Sequence, residues 1–166
     1  MKRLFFALWP DNEVRGQCAQ LIQTLAEQEG RPVEPGNLHV TLVFLGAVDA
    51  STELAITNAA AEMPKNPITL AFDRLDYWQK PRILCLRATH PEPASVTLAM
   101  KLKVAAAQFG IAADERPFTP HITLIRKARQ PVQVDFKPII WTTDSFCLAE
   151  SRSSPEGVEY RVLRRW

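Results

Sequence analysis

Pro117-Phe118-Thr119-Pro120-His121-Ile122-Thr123-Leu124-Ile125-Arg126 is the stretch on which the reading of this chain turns. It has an echo far upstream, Asn37-Leu38-His39-Val40-Thr41-Leu42-Val43-Phe44-Leu45-Gly46. Both carry His-x-Thr-x inside an apolar, β-branched run, the pattern of a strand. Side chains alternate along a strand, so His39 and Thr41 share one face, and so do His121 and Thr123. Leu38, Val40 and Leu42, like Ile122 and Leu124, then take the opposite, packing face. Two such strands side by side would aim two imidazoles and two hydroxyls into one cleft. A lone strand histidine reads more simply as a hydrogen-bonded structural residue. Here two of the three histidines in the chain sit in matching contexts, which speaks for two similar halves.

Working outward, 166 residues fit one domain with a substantial core. A hydrophobic content of 46% and a charged content of 23% are ordinary globular values. The net charge of +2 argues against a strongly basic nucleic-acid coat. It suits an enzyme that handles a short terminus. Cys18, Cys85 and Cys147 are far apart and odd in number. They form neither a metal spacing nor a disulfide framework, so they read as free core thiols in a reducing compartment. The start of the chain has too short an apolar run for a signal peptide, and no stretch approaches a membrane span. The expectation is a soluble, cytoplasmic monomer.

In chain order, residues 3–9 read as a buried strand stopped by Pro10. Asp11 is placed to cap a helix over 12–29, with Val14, Cys18, Leu21, Ile22 and Leu25 at helical spacing and Gly30 at its end. A proline-rich loop leads to the first motif strand. Gly46 and Asp49 mark a turn, and Ser51 is positioned to cap a helix to about residue 63. Strands at 68–77 and 82–88 flank a turn at Gln79-Lys80-Pro81 and read as a hairpin. Pro91 and Pro93 introduce a helix over 94–109. The loop through Asp114-Glu115-Arg116-Pro117 delivers the second motif strand. Two strands follow, near 139–150 and 158–164. The order β-α-β-α-β-β-α-β-β-β argues for an α+β fold rather than a doubly wound parallel sheet. Nothing marks a linker, so residues 1–166 read as one domain.

The paired motifs, the opening Arg3-Leu4-Phe5-Phe6-Ala7-Leu8 and the approaches Asn37-Leu38-His39 and Phe118-Thr119-Pro120-His121 together resemble the 2H phosphoesterase superfamily. More closely, they resemble the bacterial RNA 2',3'-cyclic phosphodiesterases, also called 2'-5' RNA ligases. The resemblance covers most of the chain. It implies a bilobal fold of two pseudo-symmetric antiparallel sheets flanked by helices, with the motifs in the cleft between them. It implies His39 as the general acid on the leaving 3' oxygen, His121 as the general base on water, and a 2'-phosphate product. Ligation would be the same step reversed, with an RNA 5' hydroxyl in place of water. The sequence itself leaves open which histidine is the acid, because the two copies look alike.

Residue chemistry agrees with that class. Opening a cyclic phosphate needs one proton taken and one given, and histidine suits both, with an ordinary pKa of about 6.5. The Thr41 and Thr123 hydroxyls are donors for the non-bridging phosphate oxygens. No metal or cofactor is called for. Strict alternation turns Arg126 away from the cleft, yet its length and strand-end position keep it a candidate phosphate ligand. Phe5 and Phe118 are candidates for stacking on a base. Ordinary core packing is the competing reading for both, as for Trp9 and Trp78. His90 reads as a surface residue, and the three arginines of 161–166 as a solvated terminal strand, with contact to an RNA backbone as the second reading. The expected partners are RNA ends or small cyclic nucleotides. Three other functions remain open: a phosphodiesterase for another small cyclic or 2'-5' linked nucleotide, an RNA-end binding protein with little turnover, and a metallohydrolase. Two intact acid/base candidates weigh against a pure binder. The lack of a nearby carboxylate cluster weighs against a metal site.

Overall fold

In a computed structural model the protein is described over residues 1–25, 30–112, 114, 116–155 and 157–166. The strands are β1 (Lys2–Leu8), β2 (Arg31–Pro32), β3 (Val40–Val48), β4 (Ile68–Phe72), β5 (Arg74–Trp78), β6 (Ile83–Arg87), β7 (His121–Arg126), β8 (Ile139–Thr143), β9 (Cys147–Ser154) and β10 (Gly157–Arg165). The helices are α1 (Asn12–Thr24), α2 (Ala50–Ala61) and α3 (Pro93–Gln108). A 3-10 turn at Pro35–Asn37 precedes the first motif.

The strands form two four-stranded sheets, ordered β10-β9-β1-β3 and β2-β7-β6-β5, and a two-stranded ribbon, β4-β8. All described pairings are antiparallel. This is the expected α+β architecture. The motif strands are not neighbours, however: β3 lies in the first sheet and β7 in the second. The expected strand over 68–77 is two strands, because the chain leaves β4 at Asp73 and enters β5 in a different sheet. The Asp73 carboxylate fixes this break by accepting from the Thr89 backbone N–H at 2.9 Å and from the Thr89 hydroxyl. The expected strand over 139–150 divides in the same way into β8 and β9. An apolar run shows that a stretch is extended and buried, but it does not say in which sheet.

Local chemistry explains the helix starts. The Asp11 side chain accepts from Val14 N–H, as expected for an N-cap. The cap of α2 is Asp49 rather than Ser51: Asp49 accepts from Thr52 N–H at 2.8 Å, and the Ser51 hydroxyl donates to the same carboxylate. These bonds hold the Asp49 carboxyl down to about 2. Pro93 occupies the first turn of α3, where its missing N–H costs nothing. The far end of the expected helix over 12–29 falls partly outside the described residues; α1 runs to Thr24. Gly46 does not make a turn. It lies within β3 with φ of +72°, beside an irregularity in pairing.

One apolar cluster links the two sheets. It joins Leu4, Phe6 and Leu8 of β1 to Leu84, Leu86, Ile122 and Leu124 of β6 and β7, with α1 and α3 contributing Val14, Cys18, Leu98 and Leu102. Helix α3, carried between two strands of the second sheet, packs on β3 of the first; α1, which follows β1, packs on β7 and β8. Each fully buried Leu or Phe contributes about 1.5–3 kcal/mol. A smaller cluster, Phe5, Ala7, Cys147 and Ala149, lies on the other face of the first sheet, with Trp9, Tyr160 and Val162 against it. The site is built on that face.

Candidate active site

His39 immediately precedes β3, and His121 is the first residue of β7. Each ring is fixed by the same device. His39 Nδ1 is 2.7 Å from the carbonyl of Asn37, and His121 Nδ1 is 2.8 Å from the carbonyl of Thr119, two residues back in both cases. A carbonyl only accepts, so both Nδ1 atoms carry hydrogen and donate. In the neutral ring Nε2 is left with its lone pair. At His39 that lone pair accepts from the Thr41 hydroxyl, 3.1 Å away. Asn37 is itself clamped to β10, with its amide donating to the Val158 carbonyl at 2.8 Å and its Oδ1 accepting from Tyr160 N–H at 3.0 Å.

Both imidazoles resist protonation. Burial pushes His39 down to about 4, the bond to Asn37 opposes this, and the charges of Arg126 and His121 add to the fall. His121 is lowered for the same first reason, burial, with Arg126 and Arg116 adding to it against the bond to Thr119. His39 thus lies in the fields of His121 and Arg126, and His121 in that of Arg126.

The position of Arg126 corrects the alternation argument. In the β6–β7 pairing Cys85 faces Thr123 and Leu84 faces Ile125, which leaves Leu124 as an extra residue. Leu124 and Ile125 are both buried. This bulge resets the alternation and returns Arg126 to the His121 face. Its guanidinium donates to the Tyr160 hydroxyl at 3.0 Å, across from the second sheet to the first. The same irregularity occurs in β3, where Leu42 is extra between Thr41, opposite Ala7, and Val43, opposite Phe6. Phe44 then occupies, five residues after His39, the place that Arg126 occupies five residues after His121. Phe44 is 49% exposed and stacks on Phe5 with centroids 5.8 Å apart.

Phe5 is only 1% exposed, so it underlies Phe44 and offers no face of its own to a ligand. Its ring is 5.0 Å from that of His39. Phe118 packs against the main core. The tryptophans are nearer the chemistry than expected. Trp9 stacks on His39 at 5.5 Å and 10°, and Trp78 lies 4.4 Å from His121. Tyr160 stands edge-on to His39 at 4.8 Å. The sequence reading does not include Phe44 and Tyr160 in the site, and it prefers core packing for Trp9 and Trp78, which instead lie against the histidines. For Phe44 alone a signal existed, the extension of both motifs to a fifth position. His90 is exposed, as expected, and its ring bonds Thr89. Among the described residues no group of three or more His, Cys, Asp or Glu could hold a metal ion.

The two sheets thus each present a backbone-oriented imidazole, and Arg126 lies in the field of both. The family model described as "LigT like Phosphoesterase" matches residues 8–85. The RNA 2',3'-cyclic phosphodiesterase of Escherichia coli (strain K12) is 34% identical over 168 residues, covering 99% of this chain and 96% of that protein. The crystal structure of E. coli LigT in apo form superposes with a TM-score of 0.90 at 34% identity, covering 99% of this chain and 96% of that one. The same protein complexed with 3'-AMP gives 0.91, with 99% and 97% covered. The chain belongs to the LigT-like phosphoesterase family.

Proposed function

We propose that this protein hydrolyses the 2',3'-cyclic phosphate at an RNA 3' end to a 2'-phosphate by two-histidine acid/base catalysis, and that the reverse step joins ends through a 2'-5' bond. The observation that carries this reading is the matched pair of imidazoles, each held through Nδ1 by a carbonyl two residues back. Its relatives named RNA 2',3'-cyclic phosphodiesterase support the substrate. His121 Nε2 takes a proton from water as the oxygen attacks phosphorus. His39, protonated, gives its proton to the 3' oxygen as the P–O3' bond breaks. Thr41, whose hydroxyl is held by His39 in the free protein, turns to a non-bridging oxygen, and Thr123 and Arg126 bind the same phosphoryl group. Phe44 receives the base of the terminal nucleotide. The protein works as a monomer in the cytoplasm, a setting that three buried free cysteines suit.

One observation favours a second reading with the histidine roles exchanged. In the free protein burial holds His39 down to about 4, which disfavours the charged form that an acid needs. The incoming phosphate anion offsets this by stabilising a charged imidazole at either position.

The test is incubation with an oligoribonucleotide ending in a 2',3'-cyclic phosphate, with excess chelator present and the product isomer identified. Conversion to the 2'-phosphate is expected, and His39→Ala and His121→Ala should each lose roughly 10²–10⁴-fold in kcat. Near-normal turnover in either mutant would sink the mechanism. Activity lost on chelation and restored by a divalent ion would favour a metallohydrolase.

A further inference from the structure

A cavity of about 530 Å³, within the rough 300–1,000 Å³ range of ligand sites, adjoins the histidine cleft without including any motif residue. Its walls include Trp9, Thr142, Thr143, Asp144, Ser145 and Arg165. Trp9 is the shared wall, because its indole also stacks on His39. Arg165 is aligned with the site by the sheet. It stands opposite Cys147, Cys147 opposite Ala7, and Ala7 opposite Thr41. Opposed residues share a face, so Arg165 and Thr41 lie in one cross-sheet row, about 14 Å apart from backbone to backbone at the usual strand spacing.

Charges of both signs meet at this end. The Arg15 guanidinium lies over Trp9 at 5.7 Å and donates to the Pro10 carbonyl. Arg15 and Arg165 lie in each other's field, the Asp11 carboxylate opposes this at Arg15, and among the described residues no ion pair is formed by either arginine. The cavity also contains Asp11, whose carboxylate is occupied as a helix cap, and the exposed Asp144. A cavity walled by one guanidinium, an indole and several hydroxyls, with a second guanidinium over that indole, matches a nucleotide with its phosphodiester better than an isolated anion.

We propose that this cavity is a second nucleotide subsite. It binds the phosphodiester on the 5' side of the terminal nucleotide, through Arg165, and the nucleoside beyond it, against Trp9. The inference rests on the proposed cyclic phosphodiesterase reading with His39 on the leaving oxygen. In-line attack puts water at His121 and O3' at His39. The ribose carbon bearing O3' is bonded to the one bearing C5', so the upstream chain leaves on the His39 side, toward Trp9 and Arg165.

The experiment compares a nucleoside 2',3'-cyclic phosphate with the dinucleotide that carries one more nucleoside and phosphodiester at its 5' end. The wild-type protein should show kcat/KM about tenfold or more higher for the dinucleotide, the scale of one charge-assisted phosphate contact. Arg165→Gln should remove most of that advantage while leaving the nucleoside substrate unchanged. Asp144→Asn, at an exposed position, should raise kcat/KM for the dinucleotide alone, because it removes a charge that repels the phosphodiester. Equal wild-type efficiency on both substrates would overturn the subsite and leave the proposed function standing. So would an equal loss on both in Arg165→Gln, which would place Arg165 in support of His39 instead. Turnover of neither substrate by the wild-type protein would overturn the function and the subsite with it.

Discussion

At His39 the burial that orients the ring also withholds its proton. The ordinary value in an unfolded chain is about 6.5, and the folded value is about 4. A group lowered on folding contributes stability above its unfolded pKa and loses it as pH falls toward its folded one. Thermal stability should therefore decline between about pH 6.5 and about pH 4, by roughly 3 kcal/mol from this group. His39→Gln should flatten that part of a Tm-against-pH curve; an unchanged slope would show that other groups carry it. The same lowering predicts the rate profile. Because both histidines are lowered, the bell of kcat/KM, which reports the free protein, should peak on the acid side of pH 6.5. The bell of kcat should lie at higher pH, because bound phosphate favours the charged rings. The limbs belong to the coupled pair. With His39 as acid, His39→Ala removes the limb on which rate falls as pH rises, and with the roles exchanged it removes the other.

At the scale of elements, two bulges decide what the motif strands present. Without Leu124 as an extra residue Arg126 would face away, and without Leu42 so would Phe44. The β7 bulge has its own constraint. A Cβ on Gly30, whose φ is +152°, would meet Ile125 Cγ2 at 2.5 Å and the Arg126 carbonyl at 2.9 Å. Gly30→Ala should therefore cost roughly 1–3 kcal/mol, the scale of overpacking, and should reduce kcat by moving Arg126. Gly16 offers the control, since nothing lies within 4 Å of its added Cβ on α1. Gly16→Ala should raise stability by about 0.8–1 kcal/mol through helix propensity and leave kcat unchanged. Denaturant titration measures both. A stabilising Gly30→Ala would remove the steric account of the bulge.

For the whole molecule, the two sheets share one core, and α1 and α3 each pack across to strands beyond their own stretch of chain. We propose that residues 1–166 unfold as one unit. Trp9 reports on the first sheet and Trp78 on the second. Tryptophan fluorescence of single-Trp variants and far-UV circular dichroism should give coincident transitions. Separate midpoints would mean that each lobe is its own domain. Among the described residues no helix is long and apolar enough to cross a membrane.

By itself the sequence determined the parts that rest on local order. The duplicated His-x-Thr, with its period of two, gave both imidazoles and both hydroxyls their common face. Asp11, Pro93 and the apolar spacing of α1 and α3 placed the helices, because caps and periodicity act within a few residues. Which sheet a strand joins, and where its register slips, depends on long-range packing. The breaks at Asp73 and between β8 and β9 depend on partners far along the chain, and a bulge is an event between two strands that neither strand's pattern records. Arg126 and Phe44 came to the site by such slips. Tyr160 came by reaching from β10 to Arg126 of the opposite sheet. Trp9 and Trp78 were apolar residues in the sequence, and they became walls for the histidines because the strands carrying them end beside those rings.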